Sequence, residues 1–358
     1  MNTNKKNILV TGGAGFIGSN FINLYADNPN YSFLNFDKLT YASSIESLEN
    51  IQDNKNYRFV NGDLFNLNEI KSSMNNFKPN YIINFAAESH VDRSIDSPLE
   101  FVNTNIVGVA NLLISAFDYY RNLNDLERKE FKLLHVSTDE VYGSLNLEDE
   151  KFNEQTPYNP SSPYSASKAS SDHLVNAWNK TYGIKTNIIN CSNNYGPYQF
   201  PEKLIPLVII SAINEKSIPI YGDGSNIRDW LYVEDHCSAI YTVLLNGENG
   251  ETYNVGGGQE KSNVEVVNSI CEILDRLNPS SKLGSYKDLI NFVEDRPGHD
   301  FRYAVDYSKI KNELSWEPKE TFISGINKTV SWYLNNLDWI KLITDNKYNL
   351  DRLGIRND

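Results

Sequence analysis

At 358 residues the chain exceeds one average domain and can bury a substantial interior. Its 33 Lys and Arg face 46 Asp and Glu, a net charge of −13 whose field repels phosphate backbones and anionic lipid and so argues against nucleic acid as a partner. Three widely spaced cysteines, Cys191, Cys237 and Cys271, suit a reducing compartment better than a disulfide framework, and the five scattered histidines give no metal-ligand spacing, so no protein-bound metal is expected.

The N-terminus, MNTNKKNILVTGG, passes from two lysines through a short apolar run into glycines, unlike a secretory signal, and a cytoplasmic location is the expectation. Short apolar runs recur at 7–10, 33–36, 57–60, 81–85, 132–137 and 185–190, separated by segments of helical period. Continuous runs of that kind predict strands buried on both faces of a parallel sheet, so the fold class is α/β with a doubly wound, Rossmann-type sheet. After Asn190 the stretch CSNNYGPYQFPEKLIP is punctuated by Pro and Gly and marks a crossover into a smaller C-terminal α/β substrate domain. The longest apolar stretch, 204–213, predicts a buried helix and falls short of the roughly 20 residues that cross a bilayer, so no membrane partner is expected. A strand and helix follow at 229–245, with Asp235 as the expected N-cap. The predicted division is residues 1–190 plus about 229–257 for a dinucleotide domain, 191–228 plus about 258–335 for a substrate domain, and a polar tail, 336–358, without an interpretable motif.

The first apolar run, KNILV, enters TGGAGFIG and then a helical pattern from Ser19 to Ala26. That places Gly12, Gly15 and Gly18 at a strand-to-helix turn, where backbone N–H groups and a helix N-terminus face a pyrophosphate and missing Cβ atoms permit its approach. Asp37 follows the second run at the distance where an acid accepts ribose hydroxyls. Its charge disfavours the extra phosphate of NADP and favours NAD, while Lys38 beside it pulls the other way. Asp63 and Leu64, after the third run, fit an adenine edge, and Asp63 fits a surface turn equally well.

Further on, Tyr164 and Lys168 in SSPYSASK lie at i and i+4 and share one helix face. An ammonium beside a phenol favours the phenolate, so the pair reads as an alcohol-deprotonating device. The same spacing is also common on solvated faces. The fifth strand, FKLLHVSTDEVYG, ends in Thr138, Asp139 and Glu140, where ligands of open α/β sheets bind. The two carboxylates fit either an acid/base pair or a cap on the next turn.

The motifs TGGAGFIG, DKLTYAS, AAESHVDRSI, STDEVYG, PYSASKASSDHLV, NCSNNYGPYQFPEKLIP, IRDWLYVEDH, YNVGGG and EDRPGHD together resemble the dTDP-glucose 4,6-dehydratases, a branch of the extended short-chain dehydrogenase/reductases. The likeness runs from about Ile8 to Leu334, and the Thr-Asp-Glu-Val-Tyr-Gly run and DRPGHD are its more specific parts. It implies NAD-dependent oxidation of dTDP-glucose at carbon 4, loss of water across carbons 5 and 6, and return of hydride to carbon 6. Tyr164 would act on the 4-hydroxyl with Lys168 and Thr138, Glu140 would be the base at carbon 5, and Asp139 the acid at the 6-hydroxyl.

By the same resemblance Phe16, Ile17, Asp37, Lys38, Leu39, Thr40, Asp63, Leu64, Phe85, Ala86, Ala87, Ser89, Thr104 and Asn194 match cofactor positions. Ser89, Thr138, Asn193, Lys203, Leu204, Pro219, Ile220, Tyr221, Arg228, Asn263, Asp295, Arg296, Pro297, Gly298 and His299 match substrate positions. Arg228, Lys203 and Arg296 also suit a nucleotide diphosphate on physical grounds, although each alone fits an ordinary salt bridge. His299 and Asn263 fit satisfied polar residues as well. Ser43 stands where the family often has glycine, and Leu64 where isoleucine is frequent. The family's product feeds rhamnose and other deoxysugars of polysaccharides, and a homodimer through the helices that include 103–120 and 165–182 is expected.

Three other readings stay in view. A nucleotide-sugar 4-epimerase shares the glycine turn and Tyr164 with Lys168 but needs no acid/base pair after the threonine. A 4,6-dehydratase of another NDP-hexose keeps the chemistry. A dinucleotide-sensing regulator commonly lacks the tyrosine or lysine, both present here.

Overall fold

The computed structural model describes residues 5–295 and 298–347. Its strands in chain order are β1 (Lys6–Thr11), β2 (Tyr31–Asp37), β3 (Tyr57–Asn61), β4 (Tyr81–Asn84), β5 (Lys132–Thr138), β6 (Thr186–Cys191), β7 (Asn193–Tyr195), β8 (Ile218–Tyr221), β9 (Ile227–Tyr232), β10 (Thr252–Val255), β11 (Glu260–Ser262), β12 (Ile290–Val293) and β13 (Arg302–Tyr303). Seven of them form one sheet in the order β10-β6-β5-β4-β1-β2-β3. Every pairing in it is parallel. The chain runs outward from β1 to β3 and then reverses to β4, so the carboxyl ends of β1 and β4 flank the switch point where such sheets bind ligands. This is the doubly wound α/β fold expected from the apolar runs.

Both faces of this sheet are covered, which is why its strands read as unbroken apolar runs. Ile8 and Val10 pack with Phe21, Ile22, Ile240 and Val243 on one face. Leu9, between them, packs with Met74, Leu112, Leu113 and Val175 on the other, as strand alternation requires.

The smaller assembly centres on β9, which pairs with β7 and β13 in parallel and β11 in antiparallel; β8 pairs with β12. It has its own core, including Tyr195, Ile209, Trp230, Ile270, Phe322 and Tyr333. β9 therefore belongs to the smaller sheet, while the helix after it, Val233–Asn246, packs on the larger one and leads to β10 at its edge.

Three expectations need correcting. The N-cap of helix Val233–Asn246 is Tyr232, not Asp235. Asp235 lies inside the first turn, and its carboxylate accepts from the backbone N–H groups of Lys319 (3.1 Å) and Glu320 (2.8 Å), so a tertiary bond takes the place of the cap. Among the described residues the longest apolar helical run is Pro98–Tyr120 and not 204–213. By length and composition it could cross a membrane, yet Val109, Leu112, Leu113 and Ala116 are buried in the core beneath the sheet. Finally, the tail is not wholly polar: within helix Leu337–Lys347, Ile340 and Ile343 are buried and Trp339 donates to Ser47 Oγ (3.2 Å).

Candidate active site

The turn after β1 is shaped by contacts that a side chain would block. Gly12 has φ +72°, and a Cβ there would sit 2.5 Å from the Ala86 nitrogen; a Cβ on Gly18 would sit 2.5 Å from the Gly12 carbonyl oxygen. The helix that follows, Phe16–Tyr25, has Gly15 as N-cap with no side-chain hydrogen bond, so its first N–H groups are left to the cavity that Gly12, Gly15, Phe16, Ile17 and Gly18 line. At the end of β2 the buried Asp37 carboxylate accepts from the N–H groups of Ala14 (2.9 Å) and Leu39 (2.8 Å), and burial raises its pKa against those bonds. Helix dipole, open N–H groups and this carboxylate form a donor and acceptor set that fits the pyrophosphate and ribose of a dinucleotide.

The same cavity is lined by Lys38, Thr40, Asp63, Leu64, Phe85, Ala86, Ala87, Ser89, Thr104 and Asn194. Lys38 Nζ lies 3.2 Å from Thr104 Oγ1 and 3.8 Å from Glu88, and its charge opposes the burial-driven rise at Asp37. Asp63 accepts from the Phe65 N–H (2.9 Å) and so also stabilises its own turn. Leu39 does not line the cavity; it is half-exposed with φ +54°.

At the inner end of this cavity stand Thr138, Glu140, Tyr164 and Lys168. Tyr164 and Lys168 belong to helix Pro163–Tyr182, which begins there because Ser162 and Ser165 form a reciprocal cap and Pro163 occupies the first turn. Thr138 ends β5 and caps the single helical turn Asp139–Tyr142, its Oγ1 accepting from the Glu140 N–H (3.3 Å). The threonine, not either carboxylate, is thus the cap.

Asp139 is 1 % exposed and does not line the cavity itself. Its Oδ1 takes a long bond from Thr138 Oγ1 (3.4 Å), and Oδ2 has no hydrogen-bond partner. Burial first, then Glu140 and Asp229, push its pKa well above the usual carboxylate range, with Arg228 opposing. Burial also pushes the Tyr164 phenol up, followed by Glu140, against a hydrogen bond with Thr138. Lys168 is lowered by burial and raised by Asp172, and its Nζ donates to the Val136 carbonyl (2.8 Å). Burial is thus the largest influence on the phenol, and it opposes the phenolate.

The cleft continues into a second lobe lined by Asn193, Lys203, Leu204, Pro219, Ile220, Tyr221, Arg228, Asn263 and His299. Glu140, Asn193, Asn194 and Lys203 line both lobes, so the two are continuous. The Arg228 guanidinium lies over the Tyr303 ring (4.4 Å) and donates to the carbonyls of Ile227 (2.7 Å) and Asp300 (2.9 Å), which fixes its plane. Lys203 Nζ donates to the Ser89 carbonyl (2.7 Å), and Asn193 Oδ1 is buried without a hydrogen-bond partner. His299 meets Asp295 at 2.7 Å and faces the Tyr221 ring edge-on. Asp295 and Gly298 are exposed and do not line the cleft, and Arg296 and Pro297 lie outside the described residues.

Residue-by-residue reading missed a clasp between the lobes. Arg93 stacks on Tyr41 (3.7 Å) and donates to Glu202 Oε2 (3.1 Å), while the Tyr41 hydroxyl donates to Glu202 Oε1 (3.2 Å). Each member sits in a motif quoted above, yet nothing in the sequence pairs residues so far apart.

A family profile described as GDP-mannose 4,6 dehydratase matches residues 9–329. The chain is 53 % identical over 351 residues to a dTDP-glucose 4,6-dehydratase of Neisseria meningitidis serogroup B, covering 98 % of this chain and 99 % of the relative. Among solved structures it resembles the Bacillus anthracis dTDP-glucose 4,6-dehydratase in complex with NAD, with TM-score 0.82, 46 % identity and coverage of 94 % and 99 %. It also resembles the Streptomyces venezuelae dTDP-glucose 4,6-dehydratase with NAD and TYD bound, with TM-score 0.84, 40 % identity and coverage of 94 % and 99 %.

Proposed function

Because the chain belongs to the dTDP-glucose 4,6-dehydratases of the extended short-chain dehydrogenase/reductase family, we propose that it is a hydro-lyase converting dTDP-glucose to dTDP-4-keto-6-deoxyglucose. NAD, when bound, supplies the hydride acceptor for carbon 4 and the hydride donor for carbon 6, and so is recycled. The glycine turn, the uncapped helix N-terminus and Asp37 are the residues that would hold it.

In this reading Tyr164 takes the proton of the 4-hydroxyl, with Thr138 bonded to the same oxygen and the Lys168 charge favouring the phenolate. Glu140 removes the carbon 5 proton, acidified by the new ketone. Asp139 protonates the departing 6-hydroxyl, and the unequal burial of the two adjacent carboxyls supports that division of labour.

The first lobe takes the dinucleotide. The second takes the nucleotide diphosphate and hexose, with Arg228 and Lys203 as cations and Asn193 Oδ1 as a waiting acceptor. In this reading residues 1–190 with about 233–257 serve the cofactor, and 191–232 with about 258–335 the nucleotide sugar, the expected boundary at 229 moving to 233 because β9 belongs to the smaller sheet. A second copy of the chain pairs through the helices that include 103–120 and 165–182, where Val107, Ile114 and Tyr182 are exposed. Three free, buried cysteines suit the cytoplasm.

The observation that carries the proposal is the convergence of Thr138, Glu140, Tyr164 and Lys168 at the inner end of a cavity that begins at the glycine turn. The test is incubation of purified protein with dTDP-, UDP-, CDP- and GDP-hexoses without added NAD, followed by alkali. The near-ultraviolet absorbance of an enolised 4-keto-6-deoxy product from dTDP-glucose is expected. Its appearance only from another nucleotide, or a 4-epimer in its place, would overturn the reading.

A further inference from the structure

Behind Lys168 lies a polar group of side chains for which the reaction described above has no role. His135 on β5 is fully buried, with Nε2 3.3 Å from Lys168 Nζ and 3.5 Å from Asp172 Oδ1. Asp172, one helical turn after Lys168, is also fully buried. Its Oδ2 accepts from Ser137 Oγ (2.8 Å), Tyr158 OH (3.0 Å) and Asn190 Nδ2 (3.3 Å), and Oδ1 meets only the imidazole edge.

Burying a carboxylate among neutral donors is unfavourable, and an amide would satisfy the same hydroxyls more cheaply. What an amide would not supply is charge, and one turn away is an ammonium equally removed from water. The imidazole between them is neutral, since burial and Lys168 both oppose its protonation. Asn84 Oδ1 accepts from Thr11 Oγ1 (2.6 Å), which turns the Asn84 amide N–H toward His135 Nδ1 (2.9 Å). The other ring nitrogen, Nε2, lies among Lys168 Nζ (3.3 Å), Ser171 Oγ (3.3 Å) and Asp172 Oδ1 (3.5 Å), so the imidazole bridges the two charged side chains.

We propose that Asp172, held by His135, is a positioning residue that supplies the countercharge for Lys168 and so keeps that side chain cationic beside Tyr164. The inference rests on the reading of Tyr164 and Lys168 as the alcohol-deprotonating pair. The groups facing Lys168 and Asp172 are His135 and Ser137 on β5, Asn190 and Cys191 on β6, Asn84 on β4, and Tyr142 and Tyr158 from the connection before the helix. Burial keeps the phenols and the thiol protonated and the imidazole neutral, leaving Asp172 and Lys168 as the charges of this cluster. Burial raises Asp172 to about 6, so the countercharge is present above that pH and absent below it.

The test is the pH profile of Asp172→Asn against wild type with dTDP-glucose. The wild-type to variant ratio of kcat should be near one below pH 6 and rise to on the order of tenfold above it, the equivalent of one pKa unit at Lys168. KM should hold, because Asp172 lines neither lobe. In a Lys168→Met background the same substitution should cost nothing more. A pH-independent ratio, a KM that rises in step, or an undiminished loss in the Lys168→Met background would sink the idea and leave Asp172 as packing. Should Asp172→Asn fail to fold, His135→Leu removes the bridge but neither charge, and its loss must likewise vanish without Lys168. A wild-type protein that never converts dTDP-glucose refutes the parent reading instead.

Discussion

The cofactor lobe is shaped mainly by main chain, through Gly12 against Ala86, Gly18 against Gly12, and the N–H groups of Ala14 and Leu39 on Asp37. The sugar lobe is shaped by side chains reaching across the fold: Lys203 to Ser89, Tyr221 to Asp92, and Arg228 to carbonyls at Asp300 and Phe301. A backbone surface can be altered only by adding atoms where none fit. A side-chain surface can be retuned one residue at a time, so under the proposed function nucleotide and hexose choice would follow the side chains of β8 and β9 that line the second lobe, and dinucleotide binding would follow the turn.

Four measurements would break or sharpen that contrast. Tyr164 lines the cofactor lobe near its junction with the sugar lobe, marked by Glu140, which lines both, so Tyr164→Phe should lower kcat by about 10²–10⁴ while leaving NAD content and sugar affinity intact. A loss confined to KM would move the chemistry elsewhere. Gly12→Ala combines a positive φ with a Cβ driven into Ala86, a cost of about 2–5 kcal/mol that should appear as lost NAD and lowered Tm. An unchanged NAD content would show that the turn is not a cradle.

The third measurement concerns the charge beneath the junction. The Asp172 pKa is raised from 3.8 to about 6 by burial, so its contribution to stability is greatest below pH 3.8 and is lost as pH rises through about 6. Wild type should therefore lose on the order of 3 kcal/mol relative to Asp172→Asn between those limits, read by urea unfolding at several pH values. Parallel stability curves would contradict this. The smallest effect belongs to the sugar lobe: Arg228→Ala should cost about 1.5–3 kcal/mol, seen as raised KM for dTDP-glucose with normal NAD content.

What the sequence made legible follows the same divide. TGGAGFIG with Asp37, and Tyr164 with Lys168, are local patterns whose geometry follows from one turn or one helix, and residues of both line one cavity. Thr138 was legible because strand ends are where open sheets bind ligands. Asp235 was misread because its role depends on Lys319 and Glu320, distant in sequence. The π-helical turn at Val102–Gly108 carries no sequence signal either. Asn105 at its centre exchanges two 2.9 Å bonds with the Glu88 backbone and donates to Ser167 Oγ (2.8 Å), so the widened turn is tied to partners on two other elements. Asp139 was assigned by resemblance, and its burial behind Thr138 could not be read from its neighbours in the chain.

The path of the chain has one more consequence. Between β6 and β10, one of the two edge strands of the seven, the polypeptide leaves the large sheet to lay down β7, β8 and β9. A fragment ending anywhere in that excursion would lack Thr252–Val255 and bare the edge of β6, all six of whose residues are buried in the intact protein. Such a fragment would present a fresh, apolar pairing template to its neighbours in solution. The molecule is therefore a poor candidate for dissection into halves: a truncated product would aggregate where a modular protein would yield a free-standing dinucleotide binder.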